Sequence, residues 1–491
     1  MKKRIATILS ALLALVLSFS FVGCKRDNSN GMTQEKWEAA FAKSGTLTNR
    51  TEKMGYTISI DLKQNGKSIT KETDLGNDMT GEDLFELLEI ESLGTMMEVH
   101  NDFLIDAENG KANNVASSSS GGREYSQTEY YRVKGEKIEK SYSYGGGSTY
   151  KDVYGPYKDA ATAKGVLVKL SDMGENIAAM NVQTEDGKSL NVVKDFSKFT
   201  FSKGEYNVKL SMEMTSFGFD GKGSGTATVK LTGDYVSSVK FVLTQSVPLE
   251  DTLDEDDIPD GVTIPEGITV EVNMTAEAGL ASVGSTVVSD EGIPEVSEDD
   301  TDEYAVITTE EQFKGLFTDL HDGIQFSYYD ESTGVEIQYT VELRQTDNGY
   351  EAYVRDWADS VEHSYFYIAD ADGIKKYEGE YESGMFQGWG EATELSGGFD
   401  ELVALLPELA KYYFAKYEGG KTLPELYEKF EYVDFDTLGA VLKCGDKTVK
   451  VKVEFSEYGD EFSINRLYFN GTRTYVYHYV HDLDRNRPDA E

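Results

Sequence analysis

Several segments of this 491-residue chain recur in the same order in its two halves. Such a repeat constrains the fold more than any local pattern does, because each copy must bury a core of its own. Thr33-Gln34-Glu35-Lys36-Trp37-Glu38-Ala39-Ala40-Phe41 parallels Thr309-Glu310-Glu311-Gln312-Phe313-Lys314-Gly315-Leu316-Phe317. In each, a Thr cap precedes aromatic and apolar residues spaced as on one face of a short helix, and Thr309 with Gln312 completes a capping box. Tyr56 to Leu62 parallels Tyr339 to Leu343, alternating strands that lead to Asn65-Gly66 and Asn348-Gly349, a dipeptide that favours hairpins. Tyr130 to Ile138 parallels Phe366 to Ile374, and Phe196 to Phe201 parallels Tyr427 to Tyr432. Both copies finish on alternating strands, Ile268 to Thr275 and Thr474 to Tyr479. The bland reading is convergent β-patterning; the shared order favours duplication.

The offset between copies falls from 276 at the Thr caps to 231 at Phe196 and Tyr427, so the first copy carries 45 extra residues, placed between Gly66 and Glu129. That interval holds a capped helix signal at Thr80-Gly81-Glu82-Asp83 with Leu84, Leu87 and Leu88, then Ser117 to Gly122, expected as a flexible tip. In the second copy Phe399 to Tyr417 reads as a helix that Pro407 breaks in two. Strand runs interrupted by helices without a βαβ rhythm indicate α+β. The expected architecture is two tandem modules, each a curved, half-barrel-like antiparallel sheet covered by short helices.

Composition narrows the function classes. Apolar content of 39% with 31 Tyr and 23 Phe supplies ample core. Two cysteines cannot staple a chain of this length. A formal charge of −41 excludes a nucleic-acid partner, which needs a basic footprint. Glu250 to Asp257 and Asp290 to Glu303 are dense in carboxylates and read as solvated loop and linker. Asp256-Asp257-Ile258-Pro259-Asp260-Gly261 puts Ile258 where a calcium loop needs an oxygen ligand.

Lys2, Lys3 and Arg4 precede the run Ile5 to Val22, in which every residue is apolar, Ala, Ser or Thr, the pattern of a secretory signal. The run ends at Phe21-Val22-Gly23-Cys24, which resembles the lipobox of Gram-positive-type bacterial membrane lipoproteins. Phe21 departs from the aliphatic residue usual there. The resemblance implies a diacylglyceryl thioether on Cys24, with acyl chains of the palmitate kind, and cleavage after Gly23. Loss of the three basic residues takes the formal charge from −41 to −44. The expected organisation is therefore 1–23 signal peptide, 24–31 lipidated tether, 32–284 first module with an acidic loop, 285–303 acidic linker and 304–491 second module. Opening helix, strands and a central helical cover resemble LolA/LppX-type lipoprotein modules. This resemblance contains no diagnostic motif and implies a greasy cavity for acyl chains or other hydrophobic ligands.

No catalytic constellation nominates itself. The histidines are His100, His321, His363, His478 and His481; the last two sit three apart on an expected strand, on opposite faces, which disfavours a shared metal. Cys444, the thiol left once Cys24 is acylated, reads as a small buried residue at a strand end. Asp370-Ala371-Asp372-Gly373 reads as a turn, and Gly145-Gly146-Gly147 as a loop. Tyr125 to Tyr157 and Tyr365 to Trp389 are rich enough in Tyr to form a sugar-stacking surface, although Tyr is equally at home in sheets. The expectation is a noncatalytic, lipid-anchored protein on the extracytoplasmic face of the cell membrane, without metal or cofactor, binding a hydrophobic or amphiphilic ligand or an envelope partner. The alternatives are a solute-binding lipoprotein of a carbohydrate importer, which requires α/β lobes, and a purely structural or adhesive surface protein.

Overall fold

The computed structural model describes residues 31–76, 79–87, 94–120, 123–144, 149–171, 181–184, 189–216, 219–251, 265–293, 296, 300–317, 320–330, 337–358, 361–382, 384–458, 461–478, 480 and 482–488. Cys24, the signal segment, Asp256 to Gly261, Gly145 to Gly147 and His481 lie outside these residues. The chain divides into two compact units. One comprises 31–134, 138–153 and 167–302 of the described stretches, and the other 135–137, 154–166 and 303–488. The structure is mostly β, with two large, open antiparallel sheets and few helices.

In the first unit the strands run in the order Thr200–Ser202, Glu205–Ser216, Phe219–Thr232, Tyr235–Pro248, Ile268–Ala281, Asn49–Gln64, Gly94–Asp106, Lys111–Ser120, Arg123–Lys134, Lys137–Tyr144, Thr149–Tyr154. The first long strand therefore pairs with the last, and each half of the chain meanders outward from that central seam. The second unit repeats the plan. Its order is Glu431–Asp434, Thr437–Cys444, Lys447–Tyr458, Glu461–Phe469, Thr472–Tyr477, Ile324–Asp330, Ile337–Thr346, Gly349–Ala358, Val361–Asp370, Gly373–Glu382, Met385–Trp389. Neither large sheet has the parallel α/β pattern that the solute-binding alternative required.

This topology corrects one match of the repeat. Strand Asn49–Gln64 corresponds to Ile324–Asp330, the seam strand of the other unit, rather than to Ile337–Thr346. Alternating strands look alike in sequence, so period two alone does not tell the seam strand from its neighbour. The extra residues of the first copy fall mainly in the connection 65–93, which holds the pair Asp74–Gly76 and Met79–Thr80 and the helix Gly81–Leu87, against 331–336 in the second. Asn65 and Gly66 both take positive φ and close a two-residue turn onto Lys67. Ser117 to Ser120, expected as a mobile tip, are strand residues paired with Arg123 to Ser126. The final strand stops at Tyr477, short of the expected Tyr479.

The two independently matched aromatic motifs meet in each unit. Helix Gln34–Ser44, capped by Thr33 Oγ1 accepting from Lys36 N, buries Trp37 completely. Its indole lies 5.4 Å from the Phe41 ring, 5.0 Å from Phe196 and 5.2 Å from Phe199. Helix Glu310–Gly315, held by the capping box of Thr309 and Gln312, buries Phe313 5.4 Å from Phe317, 5.5 Å from Tyr427 and 4.9 Å from Phe430. The same four-ring cage is thus built twice from corresponding positions. Phe399–Leu405 and Glu408–Phe414 are separate helices broken at Pro407, as the ring's missing N–H dictates.

Each unit also ends in a strap across the back of its N-terminal meander. In the first, the Thr286 and Thr51 hydroxyls lie 3.0 Å apart, and Asp290 pairs with Arg132 at 2.8 Å and with Lys111. Within 285–292, part of the expected 285–303 linker, Thr286 and Val288 are buried and Asp290 is ion-paired, while Val287 stays exposed. In the second, Glu342 accepts from the N–H groups of Asp482 and Leu483 at 3.0 and 2.7 Å, and the Trp389 indole donates to Asn486 O at 2.7 Å.

Candidate functional site

Residues directly opposite in an antiparallel pair share a face, so registers trace rows across each sheet. On the helix-bearing face of the first sheet one row reads Tyr125, Ser118, Val99, Tyr56, Ala276, Phe241, Ala227, Val208. The next reads Gln127, Ala116, Asn101, Met54, Ala278, Val239, Val229, Tyr206. Each row passes from polar and aromatic at one end to buried and apolar at the other. The apolar end joins the core that Trp37 and Phe41 cover, while Met54, Tyr56, Met97 and Leu280 pack half-buried against it.

The second sheet has the same gradient. One row reads His363, Asp356, Tyr339, Tyr328, Thr474, Leu467, Val453, Leu438, and another Glu378, Tyr365, Val354, Val341, Phe326, Val476. Here the apolar end lies in a core closed by Phe313, Leu409 and Tyr413, all buried.

At the polar end of the first sheet Glu129 is the hub. Although only 8% exposed, its carboxylate accepts from the Tyr131 hydroxyl at 2.5 Å, Gln127 Nε2 at 2.9 Å and Asn114 Nδ2 at 3.2 Å, and Lys140 Nζ stands 3.0 Å away. Burial pushes this carboxyl up, but the Tyr131 hydroxyl, Lys140 and Asn114 outweigh burial and hold it below the ordinary value. Lys140 Nζ also sits 4.9 Å from the centre of the Tyr142 ring, which stacks on Tyr150 at 5.7 Å.

The offset that matches Tyr130 to Phe366 carries Lys140 onto Lys376, Glu129 onto Tyr365 and Tyr142 onto Glu378. Lys376 Nζ lies 2.5 Å from Glu378 Oε1 and 4.7 Å from the Tyr365 ring centre. Both units therefore hold one lysine between a carboxylate and a tyrosine ring, with the two partners exchanged across the strand pair. Burial foremost, helped by Asp356 and Glu378, raises the Tyr365 hydroxyl, and Lys376 opposes the shift. Burial raises the Asp356 carboxyl, and the facing His363 partly opposes the shift.

The candidates read from the sequence are scattered by comparison. His100 is exposed, 2.8 Å from Glu98 Oε1, and His321 is exposed in a turn. His478 follows the last strand, half-buried, with its ring pushed down by burial. Cys444 ends strand Thr437–Cys444 as expected but is half-exposed rather than buried, because it stands at the turn beyond Leu442, which the same strand buries completely. Asp370 to Gly373 forms the expected turn, with Asp370 Oδ1 accepting from Asp372 N at 2.8 Å and Gly373 at φ 132°. Among the described residues no group of three or more His, Cys, Asp or Glu side chains is placed to hold a metal ion. No helix among them is long and apolar enough to cross a membrane. The residues that sequence reading missed are Asn101, Asn114, Gln127, Glu129, Lys140, Asp356, Lys376 and Glu378, whose grouping depends on register between strands.

No protein-family model matches this chain, and no curated protein matches its sequence.

Proposed function

We propose that this protein is a noncatalytic lipoprotein, tethered to the extracytoplasmic face of a cell membrane through acyl groups on Cys24, that holds a hydrophobic or amphiphilic ligand on the faces of its two modules. The observation that carries the reading is the gradient along the rows, polar and aromatic at one end and apolar at the other, built twice. A ligand with its polar part at the open end and its greasy part against half-buried Met54, Tyr56 and Met97, beside the covered core, matches such a face. Large antiparallel sheets twist and coil, and a helix over the apolar half of a coiled sheet favours a half-barrel that shelters an acyl chain. The signal-like start and the Cys at the end of its apolar run support the tether, since several acyl chains anchor stably where one does not.

The test is equilibrium binding of a fluorescent polyene fatty acid, whose emission rises in an apolar site. Saturable binding that a Met54→Asp substitution abolishes supports the reading. Emission no greater than that given by a packed, ligand-free control protein would reduce the modules to a structural or adhesive role. An envelope protein in place of a small ligand is favoured by one feature: strand Met385–Trp389, last in its sheet, leaves Met385 65% and Phe386 42% exposed.

A further inference from the structure

We infer that the polar end of the first module's face is a subsite for a neutral sugar, and that this end selects the head of the ligand. The inference rests on the amphiphile reading and adds the chemical class of its polar part. Three features of the patch carry it. Tyr125, on the strand that carries Glu129, is 46% exposed, and Tyr150, on Thr149–Tyr154, is 39% exposed, so ring faces are offered to solvent beside a hydrogen-bonding network. Pyranose rings present C–H faces that stack on aromatic rings, while their hydroxyls need planar amide and carboxylate partners at the rim.

The amides supply the second feature. Asn114 spends its Nδ2 on Glu129, yet among the described residues its buried Oδ1 has no hydrogen-bond partner, and neither has Asn101 Oδ1 on the neighbouring row of the same face. Buried acceptors left unpaired are costly, and a rotation of either side chain toward the open face would present an amide to a sugar hydroxyl. The third feature is charge. Lys140 is matched by Glu129 within the patch, and the chain as a whole carries −41. Anionic headgroups and polyanionic wall polymers are therefore repelled, and of the neutral and cationic heads that remain the exposed rings and the amides fit a neutral hydroxylated one.

The sugar can be the head of a glycolipid or a free glycan, and the experiment separates them. Cys24→Ala protein is applied to an array of neutral hexose and N-acetylhexosamine tetrasaccharides, and floated with phosphatidylcholine vesicles with and without a dihexosyl diacylglycerol. Tyr125→Ala with Tyr150→Ala is the paired variant; both rings are exposed, so circular dichroism should match the parent. Array binding weakened about tenfold in the variant, equivalent to about 1.4 kcal/mol, assigns a free glycan. Flotation only with the glycolipid, lost in the variant, assigns a headgroup. Failure of both arms, or binding that the variant leaves unchanged, overturns the sugar subsite. The fatty-acid assay reads the apolar half separately, so its success beside such a failure would leave the amphiphile reading standing.

Discussion

If the aromatic cages are what hold the helices onto the two sheets, the cost of opening one follows from its contacts. Trp37 is fully buried, touches four rings including Tyr206 at 5.1 Å, and donates from its indole nitrogen to Val192 O at 2.9 Å. Trp37→Ala removes the whole ring system and should cost about 3–5 kcal/mol, the usual range for emptying a large aromatic site. Trp37→Phe installs the type of ring that Phe313 already provides in the other unit. It keeps most of the packing but leaves the Val192 carbonyl unpaired, for about 1–3 kcal/mol. The assay is hydrogen exchange read by mass spectrometry alongside urea unfolding. Exchange in Glu205–Ser216 and Tyr235–Pro248 should accelerate in the order Trp37→Ala, Trp37→Phe, parent, while Gly349–Ala358 keeps its parent rate. Equal damage from both variants would refute ring packing as the source of the stability. Acceleration spread equally over both units would refute separate cores.

Other consequences are as specific. Arg50 and Glu52 form a fully buried pair at 2.5 Å, with Arg50 also donating to Val168 O at 3.0 Å. Arg50→Ala should destabilise by about 3–5 kcal/mol, and Arg50→Met with Glu52→Leu by much less, as a double-mutant cycle in urea would show. Asp356 has its folded pKa raised by burial, so its protonated form favours folding and that contribution is lost as pH rises through the folded value. Asp356→Asn should therefore raise the melting temperature at neutral pH, with no gain below the carboxylate range. Glu129 shows the opposite sign. Its lowered pKa gives stability that is present above the unfolded value and lost as pH falls through the folded one, so Glu129→Gln should flatten acid unfolding. Cys24→Ala should move the protein from the membrane fraction to the medium, and retention would show that the signal segment stays as a helix.

The repeat was legible because its helix caps and aromatic pairs are local. Thr33 to Phe41 and Phe196 to Phe201 each have a recognisable twin, and only folding shows that they meet at one cage. Strands were harder. Tyr56 to Leu62 was matched one strand away from its true counterpart, since period-two alternation carries no label saying which strand of a meander it belongs to. Pro407 announced its helix break, as Gly373 announced its turn, through backbone chemistry that depends on no neighbour. The candidate site was the least legible. Asn101, Gln127 and Glu129 become one group only after Gly94–Asp106, Lys111–Ser120 and Arg123–Lys134 are set in register. The two tyrosine-rich stretches cover several of the strands that carry the grouped residues. They could not separate Tyr131, 4% exposed beside Glu129, from Tyr125 at the open end of the same strand.

The central claim, two duplicated faces that hold an amphiphile, is met most directly by native mass spectrometry of the Cys24→Ala protein purified without detergent. A reproducible added mass is expected, removed by organic extraction and identified as a molecule with an apolar chain and a polar head. A bare polypeptide mass in repeated preparations, unchanged after incubation with lipid extract, would contradict it.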